Sequence, residues 1–567
     1  MSARVLGNTS LTRFDALIIG SGAGGGAVAA MLTANGLDVL VLEAGANHFD
    51  GLDGPSAAAV VPRFSNDELK LAWRNFIDPH ELAEPRTFRK SEADGDRTFV
   101  GSVSSLPKTV GGAAVHADVK TPRFLPDDFH LGTLLGEIAG ASFADWPVDY
   151  DALEPFYGWA EQALGVQGDA SGNPFEPPRS TAYPMPPGLG MYGLLRVADG
   201  ARALGYHPYP YPTAVNSIPY DGRPACVDCG MCSGYGCPSN AKGSPAVTTL
   251  RRALLTGHCQ VRSETRAVRL LVSATGTEIT GVETIGPDGE NETFVADRYV
   301  LAASPIEDAR LLMLSDPMRS GAIGNSSGLV GRNATFHFQT VALGIFDERV
   351  HGDRGRAVTH GIVDFRGVPN DPDRPLGGIV EFGSGVGPVE EAKRYAHELS
   401  QRGPRLLAMM RQSPVRDRVV ALTMQAEDAP QPTNRVDLDP AVRDVDRLPV
   451  ARLTYRSHAF ELSARDYYSP KLLDILEMAG ARYCAIVPAD EIPATAHVMG
   501  TLRFGSDPAT SVCDPTGRFH DIGNLWAADG SLFPTSSGFN PILTIVTLAA
   551  RVGAEIVFPR APERALR

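Results

Sequence analysis

Short, mainly apolar runs flank a small-residue segment near the start of the chain. Residues 14–20 (FDALIIG) and 37–42 (LDVLVL) are typical of strands buried in a parallel sheet. The residues between them are rich in glycine and alanine and end at Gly36, which favours a single helix. The pattern predicts strand, glycine turn, helix and strand, the first unit of a doubly wound α/β fold.

Further along the chain, the spacing of apolar residues predicts both helices and strands. Helix or strand patterns are predicted at 144–165, 264–272, 278–285, 298–303 and 541–556. Between about 330 and 490, runs such as 339–346 and 418–425 alternate apolar and polar residues, which is typical of antiparallel strands.

These patterns predict two domains. A Rossmann-like α/β domain comprises 1–330, with a cysteine-rich insert at about 222–245, and is completed by 490–567. A mostly antiparallel α+β domain at 331–489 is inserted between the two parts and is expected to bind the substrate.

The glycine turn carries a dinucleotide-binding pattern. Gly20, Gly22 and Gly25 match G-x-G-x-x-G between a predicted strand and a predicted helix, and Glu43 follows the next strand. The glycines permit a tight turn, close approach of a pyrophosphate and close helix packing, while the acid binds a ribose. A flexible glycine loop is the alternative, which the flanking elements disfavour.

Composition and charge exclude several classes of protein. The 567 residues are 43% apolar and 21% charged, unlike a disordered or fibrous chain. The net charge of −14 argues against nucleic acid as the main partner. No apolar run of about 18 residues and no secretory-signal layout is present, so we expect no transmembrane segment and a cytoplasmic location. Export in complex with a signal-bearing partner is the alternative.

Four of the seven cysteines are clustered. Cys226, Cys229, Cys232 and Cys237 have the spacing C-x2-C-x2-C-x4-C in a glycine-rich segment. Bacterial ferredoxins hold iron–sulfur clusters with a similar run, and four thiolates also satisfy a structural zinc ion. Zinc ligands usually come as two separate pairs, and disulfides or free thiols are the third alternative.

Three separated blocks resemble the glucose–methanol–choline (GMC) family of flavin-dependent alcohol oxidoreductases. The first is GSGAGG with Glu43, and the second is TVGGAAVH at 109–116, which looks like the family's glycine-pair loop against the flavin. The third comprises AHVMGTLRFG at 496–505 and the segment at 524–553. In order, the third block supplies His497, Gly500, Thr501, Asp529, Gly530, Ser531, Asn540 and Pro541. The resemblance spans nearly the whole chain and implies bound FAD.

The resemblance implies that His497 is the base that takes the hydroxyl proton of an alcohol. A histidine suits this step because its ordinary pKa is near 6.5 and is easily tuned. Asn540 would orient the hydroxyl and contact the flavin. Taken alone, His497 could be a histidine without chemistry, and Asn540 could be a helix cap before Pro541.

Other residues are implied to contact the cofactor. Asp529 and Gly530 match a segment near the flavin's ribityl and pyrophosphate groups, and Gly111 and Gly112 form the glycine pair. His116 follows the pair at a position where some family members bond a histidine to the flavin's 8-methyl group. Covalent attachment and simple packing of His116 near the ring both stay open.

The cysteine-rich segment looks like that of one branch of the family, the large subunits of gluconate, fructose and glucoside dehydrogenases. Several of those proteins hold a [3Fe-4S] cluster. Three of the cysteines would ligate such a cluster, and all four would ligate a [4Fe-4S] cluster. Ligand spacing varies in that branch, so the identity of the ligands stays open. The resemblance implies a small subunit or a cytochrome as electron acceptor.

We therefore predict an FAD-dependent dehydrogenase that oxidises an alcohol on a sugar, glycoside or polyol and passes electrons on through an iron–sulfur cluster. The alternative is an oxidase that reduces oxygen, in which the cysteine segment is structural. An idle flavin-binding subunit is disfavoured by the intact His497 and Asn540, and a nicotinamide-dependent dehydrogenase by the C-terminal block. His337 matches a family position to which we assign no chemistry.

Overall fold

The computed structural model describes residues 13–52, 60–63, 83–104, 106–316, 321–383, 391–392, 395–396, 399–413, 415–488, 492–493 and 495–566. The prediction that residues 1–12 carry no export signal falls outside the described residues. Within the described ranges, no helix is long and apolar enough to cross a membrane.

The described residues form the following elements. The strands are β1 (Phe14–Ile19), β2 (Val39–Leu42), β3 (Phe49–Asp50), β4 (Val61–Pro62), β5 (Arg86–Arg89), β6 (Phe99–Gly101), β7 (Tyr209–Pro210), β8 (Cys259–Arg262), β9 (Arg266–Val272), β10 (Ile279–Ile285), β11 (Asn291–Phe294), β12 (Ala296–Leu301), β13 (Arg332–Phe336), β14 (Phe338–Ile345), β15 (Val358–Ile362), β16 (Gly378–Gly383), β17 (Val419–Ala426), β18 (Arg435–Arg443), β19 (Pro449–Thr454), β20 (Tyr483–Ile486), β21 (Val498–Thr501) and β22 (Leu525–Ala527). The α-helices are α1 (Ala23–Ala34), α2 (Leu131–Leu135), α3 (Tyr150–Leu164), α4 (Tyr192–Ala203), α5 (Thr249–Leu255), α6 (Pro305–Leu314), α7 (Gly403–Gln412), α8 (Ala459–Met478) and α9 (Ile542–Val557).

The predicted Rossmann-like sheet is confirmed. Five parallel strands lie in the order β22-β12-β1-β2-β8, and the strands from both ends of the chain therefore meet in one sheet. α1 packs against α5 and α9 beside this sheet. α1 is buried on nearly all sides because its alanines and glycines permit close contact with its neighbours. The apolar runs at 14–20 and 37–42 accordingly contain β1 and β2, of which β2 is fully buried and β1 is buried except at the half-buried Asp15.

The predicted antiparallel strands are also confirmed, but the sheets that they form extend beyond 331–489. One six-stranded sheet has the order β20-β14-β17-β16-β15-β7, and its neighbours pair antiparallel. The other has the order β21-β13-β18-β19-β5-β6, with one parallel pair, β19 with β5. Strands β5, β6, β7 and β21 come from the segments assigned to the FAD domain. The two-domain boundaries therefore stay a prediction.

Strand β5 was not foreseen in the sequence because it carries two arginines yet is buried. Arg86 donates to Val103 O at 2.9 Å, and Arg89 donates to the Thr454 hydroxyl at 2.9 Å. Buried charges are tolerated where such partners replace water. These partners are distant in sequence, so the polar pattern of 86–89 does not by itself indicate a strand.

We predict that Gly20→Ala destabilises the protein far more than Gly36→Ala. Both glycines have positive φ values, 100° and 83°. A Cβ at Gly20 would lie 2.2 Å from Ala302 O, whereas a Cβ at Gly36 meets nothing within 4 Å. Gly36→Ala should cost about 1–2 kcal/mol of backbone strain, and Gly20→Ala at least about 2 kcal/mol more. Guanidinium chloride unfolding followed by circular dichroism measures both losses. Equal losses would show that the contact with Ala302 is unimportant.

Candidate active site

A cavity of about 560 Å³ runs from the glycine turn after β1 to the C-terminal part of the chain. A volume of this size is typical of small-molecule sites. Most of the predicted site residues line it, namely Gly20, Gly22, Glu43, Gly112, His116, His497, Asp529, Gly530 and Asn540. The fold thus gathers at one cavity residues that are hundreds of positions apart in the sequence.

Two predicted site residues, Gly25 and Gly111, shape the wall of the cavity without lining it. A Cβ at Gly25 would lie 1.9 Å from Gly20 O, so this glycine lets α1 start against the turn. The Gly111 N–H donates to Ser21 Oγ at 3.0 Å, and that hydroxyl donates to Glu43 Oε2 at 2.6 Å. Glu43 therefore ties both glycine loops to the end of β2. Burial raises the pKa of its carboxyl.

The two glycine loops form a cradle that fits FAD. Ala23 and Gly24, the first residues of α1, line the cavity, and no side chain caps the helix at Gly22. Helix N-termini of this kind bind phosphates, so α1 would hold the pyrophosphate and Glu43 the ribose. A Cβ at Gly112 would lie 2.7 Å from Gly22 Cα, so a side chain there would close the gap between the loops.

Asp529 is held rigidly at the same cavity. Its carboxylate accepts hydrogen bonds from Ser531 N at 2.8 Å and Ser304 N at 2.9 Å. Burial raises the pKa of this carboxyl. A Cβ at the next residue, Gly530, would lie 2.8 Å from Val498 O, which explains the glycine.

His497, just before β21, contacts a second histidine. Its Nδ1 lies 2.9 Å from Nδ1 of His337, whose Nε2 lies 3.0 Å from the carbonyl oxygen of Ser536. Burial lowers the pKa of His337 to about 4. Burial, the adjacent His337 and the charge of Lys120 hold the pKa of His497 well below its ordinary range. Both imidazoles are therefore neutral near pH 7, and a neutral imidazole can accept a proton.

Asn540 is fixed by two side chains with opposite hydrogen-bonding roles. The Tyr211 hydroxyl donates to Asn540 Oδ1 at 2.5 Å, and Asn540 Nδ2 donates to Glu381 Oε1 at 2.7 Å. Lys120 forms ion pairs with Glu381 at 2.5 Å and with Asp118 at 3.3 Å. Burial alone would lower the pKa of Lys120, but the two carboxylates raise it, so the side chain is an ammonium. This arrangement permits one orientation of the Asn540 amide.

The sequence interpretation missed several polar residues of this site. Lys120, Gln339 and Gln425 line the cavity, and Gln425 also donates to Glu381 Oε1 at 3.2 Å. Glu381 had a signal in the sequence, since it is the one charged residue in the apolar run of β16. A single charge inside a buried strand indicates a buried partner.

The structure does not support the predicted iron–sulfur site. Within the described part of the chain, no three His, Cys, Asp or Glu side chains are placed to hold a metal ion, and all seven cysteines are free thiols. The Cys226 side chain is half-buried and that of Cys229 is exposed. Instead, the buried Lys242 side chain stabilises the segment, with its Nζ donating to Cys232 O at 3.0 Å and to Tyr235 O at 2.7 Å. The spacing alone could not reveal this lysine.

The cysteine segment nevertheless contributes to the cavity wall. Ser233 and Gly234 line the cavity. The Gly234 N–H donates to His116 O at 2.8 Å, and the Ser233 hydroxyl donates to Asp118 Oδ2 at 3.1 Å. The segment therefore supports the backbone at His116, the residue that follows the second glycine loop.

Comparisons with known proteins relate the chain to one family of oxidoreductases. Two family models, both described as GMC oxidoreductase, match residues 197–339 and 430–549. The chain is 29% identical to the 6'''-hydroxyparomomycin C oxidase of Streptomyces lividus, over 97% of this chain and 93% of that protein. It is 28% identical to the fructose dehydrogenase large subunit of Gluconobacter japonicus, over 96% and 97%.

The fold has counterparts among solved structures. Pyridoxine 4-oxidase from Mesorbium loti superposes with a TM-score of 0.60 and 17% identity, over 96% of this chain and 99% of that one. At this identity the similarity shows the shared fold.

We predict that Lys120→Met destabilises the protein more than Glu381→Gln. Loss of the ammonium leaves the buried Glu381 carboxylate without its cation, whereas loss of the carboxylate leaves Lys120 paired with Asp118. Breaking a buried pair typically costs about 3–5 kcal/mol, which we expect for Lys120→Met. Chemical denaturation measures the free energy of unfolding of both variants.

An exposed ion pair provides the control for that prediction. Arg202 and Asp199 are paired on the surface of α4, so Arg202→Met should cost at most about 1 kcal/mol. If Lys120→Met costs no more than Arg202→Met, the Lys120–Glu381 pair does not stabilise the site.

Proposed function

Because the chain belongs to the GMC oxidoreductase family, we propose that it oxidises an alcohol group on a sugar, glycoside or polyol with FAD as cofactor. The observation that carries this proposal is the meeting of His497 and Asn540 with the cofactor cradle at one cavity. A neutral histidine and an oriented amide are the two groups that alcohol oxidation requires beside a hydride acceptor.

Each residue of the cavity would have a separate role in the oxidation. FAD, when bound, supplies the acceptor for the hydride that leaves the alcohol carbon. His497 takes the hydroxyl proton, breaking the O–H bond as the carbonyl forms. Asn540 holds the hydroxyl oxygen, and its amide cannot turn because Tyr211 and Glu381 bind its two ends. Fixed geometry of this kind lowers the entropic part of the barrier.

The polar side chains that line the cavity support a polyhydroxylated substrate. Lys120, Gln339 and Gln425 offer hydrogen bonds in addition to those of His497 and Asn540. Buried polar groups discriminate strongly in favour of substrates that satisfy them. The relatives named as a paromomycin-type oxidase and a fructose dehydrogenase large subunit support the same substrate class.

The position of His116 favours a flavin ring beside this residue. It is buried at 5% exposure, lines the cavity and is held by the cysteine segment through its carbonyl. We propose that it packs against the isoalloxazine ring. A covalent bond to the 8-methyl group is the narrower alternative, which yellow colour in an acid-precipitated pellet would identify.

We propose oxygen as the electron acceptor, with the cysteine segment in a structural role. The observation that favours this over the predicted iron–sulfur route is the buried Lys242, whose hydrogen bonds to Cys232 O and Tyr235 O support a structural role for the segment. Two electrons and two protons from the alcohol then reduce one O₂ to H₂O₂. A small subunit or cytochrome as acceptor, supported by the relative named as a large subunit, is the second candidate.

We predict that His497→Ala retains FAD but lowers kcat by about 10²- to 10⁴-fold, the usual effect of losing a general base. Anaerobic mixing with a panel of sugars and polyols, followed by loss of the yellow flavin absorbance, measures this step directly. His520→Ala is the matched control, because this partly buried histidine binds Ser511 and does not line the cavity. Wild-type kcat in His497→Ala would remove this residue from the mechanism.

We predict that the purified protein contains no stoichiometric iron and consumes O₂ with formation of equal H₂O₂. Replacing Cys229 and Cys232 together with serine should leave flavin reduction and O₂ consumption unchanged. Metal analysis, EPR and an oxygen electrode provide the measurements. About three or four iron atoms per chain, or loss of electron transfer to a one-electron dye in the double variant, would instead favour the dehydrogenase with a cluster.

A further inference from the structure

We propose that His337 is a positioning residue that fixes the tautomer of His497 and so makes His497 Nε2 the atom that accepts the substrate proton. The inference rests on the proposed function of His497 as the base. It assigns a role to a buried histidine that does not line the cavity itself.

The carbonyl oxygen of Ser536 sets the tautomer of His337. His337 Nε2 lies 3.0 Å from this oxygen, and a carbonyl oxygen only accepts hydrogen bonds. His337 Nε2 must therefore carry a hydrogen. Burial lowers the pKa of His337 to about 4, so the ring has a single N–H near pH 7. His337 Nδ1 is consequently an acceptor.

His337 in turn sets the tautomer of His497. The two Nδ1 atoms lie 2.9 Å apart, with the rings nearly perpendicular at 80°. Because His337 Nδ1 accepts, His497 Nδ1 must donate. A neutral His497 then has no hydrogen on Nε2, which keeps a lone pair for the substrate hydroxyl.

The carbonyl that starts this chain of hydrogen bonds is itself held in place. Glu427 Oε1 accepts from Ser536 N at 2.9 Å, from the Ser536 hydroxyl at 2.8 Å and from Ser537 N at 2.9 Å. The other oxygen of Glu427 lies 3.4 Å from Arg366 Nη2. Rotation of the Ser536 peptide would break these bonds in the buried interior, where unpaired polar groups are costly. Ser536 O therefore stays directed at His337.

The arrangement also suits the protonated product of the step. When the substrate O–H bond breaks and a hydrogen forms on His497 Nε2, His497 Nδ1–H continues to donate to His337. No hydrogen bond has to be exchanged during the transfer. A pre-organised acceptor of this kind stabilises charge as it develops on the base.

The test compares His337→Asn with His337→Leu. The asparagine Oδ1 can take the place of His337 Nδ1 and accept from His497, whereas leucine cannot. We expect kcat within about 5-fold of wild type for His337→Asn and about 10- to 100-fold lower for His337→Leu. KM for the alcohol should be unchanged in both, because His337 does not line the cavity. His360→Leu is the control, a buried histidine that does not line the cavity and is not bonded to His497.

Nitrogen NMR of the wild-type protein labelled with ¹⁵N-histidine reads the tautomer without reference to activity. The His497 signals are those missing from His497→Ala. We expect an unprotonated Nε2 in wild type and in His337→Asn, and a mixture of tautomers in His337→Leu. A protonated Nε2 in wild type, or full kcat in His337→Leu, would overturn the inference. Full kcat in His497→Ala would instead overturn the proposed function and leave the tautomer as measured.

Discussion

The site depends on backbone segments that approach one another more closely than any side chain permits. Gly20 lies against the backbone at Ala302, and a Cβ at Gly24 would lie 1.9 Å from Ala528 O. The second glycine loop meets the first at Gly112 and Gly22. Strands from both ends of the chain can therefore form one sheet beside a single cradle. The glycines at these contacts carry no side chains that would fill the cavity, so the space stays open for a ligand.

A buried polar network sets the chemistry at the other end of the cavity. Glu381 binds Asn540 and Lys120, and Glu427 binds the backbone at Ser536. Each carboxylate is buried and therefore needs several donors, and those donors are the groups that position the candidate catalytic side chains. Stability and orientation thus come from the same hydrogen bonds. The neutral state of His497 follows from its burial in this network beside a cation.

In the cysteine segment, the spacing of the cysteines indicates a metal site, whereas the tertiary structure supports a structural role. Its spacing resembles that of iron–sulfur proteins, yet in the folded chain the buried Lys242 Nζ donates hydrogen bonds to two of its backbone carbonyls. Its contact with His116 and Asp118 makes it part of the cavity wall. The segment can support the site through these hydrogen bonds without carrying electrons.

The sequence by itself determined the first strand–helix–strand unit and most of the candidate site residues. Continuous apolar runs specified β1 and β2, glycine spacing specified the turn between β1 and α1, and ordered motifs identified His497 and Asn540. Only the tertiary structure decided what surrounds these residues. Each of four side chains binds a partner that lies far away in the sequence, namely Glu381, Lys120, Tyr211 and His337. The buried arginines of β5 are likewise bound by distant residues. Local patterns report periodicity and turns, whereas the pairing of buried polar groups is settled only when distant segments pack.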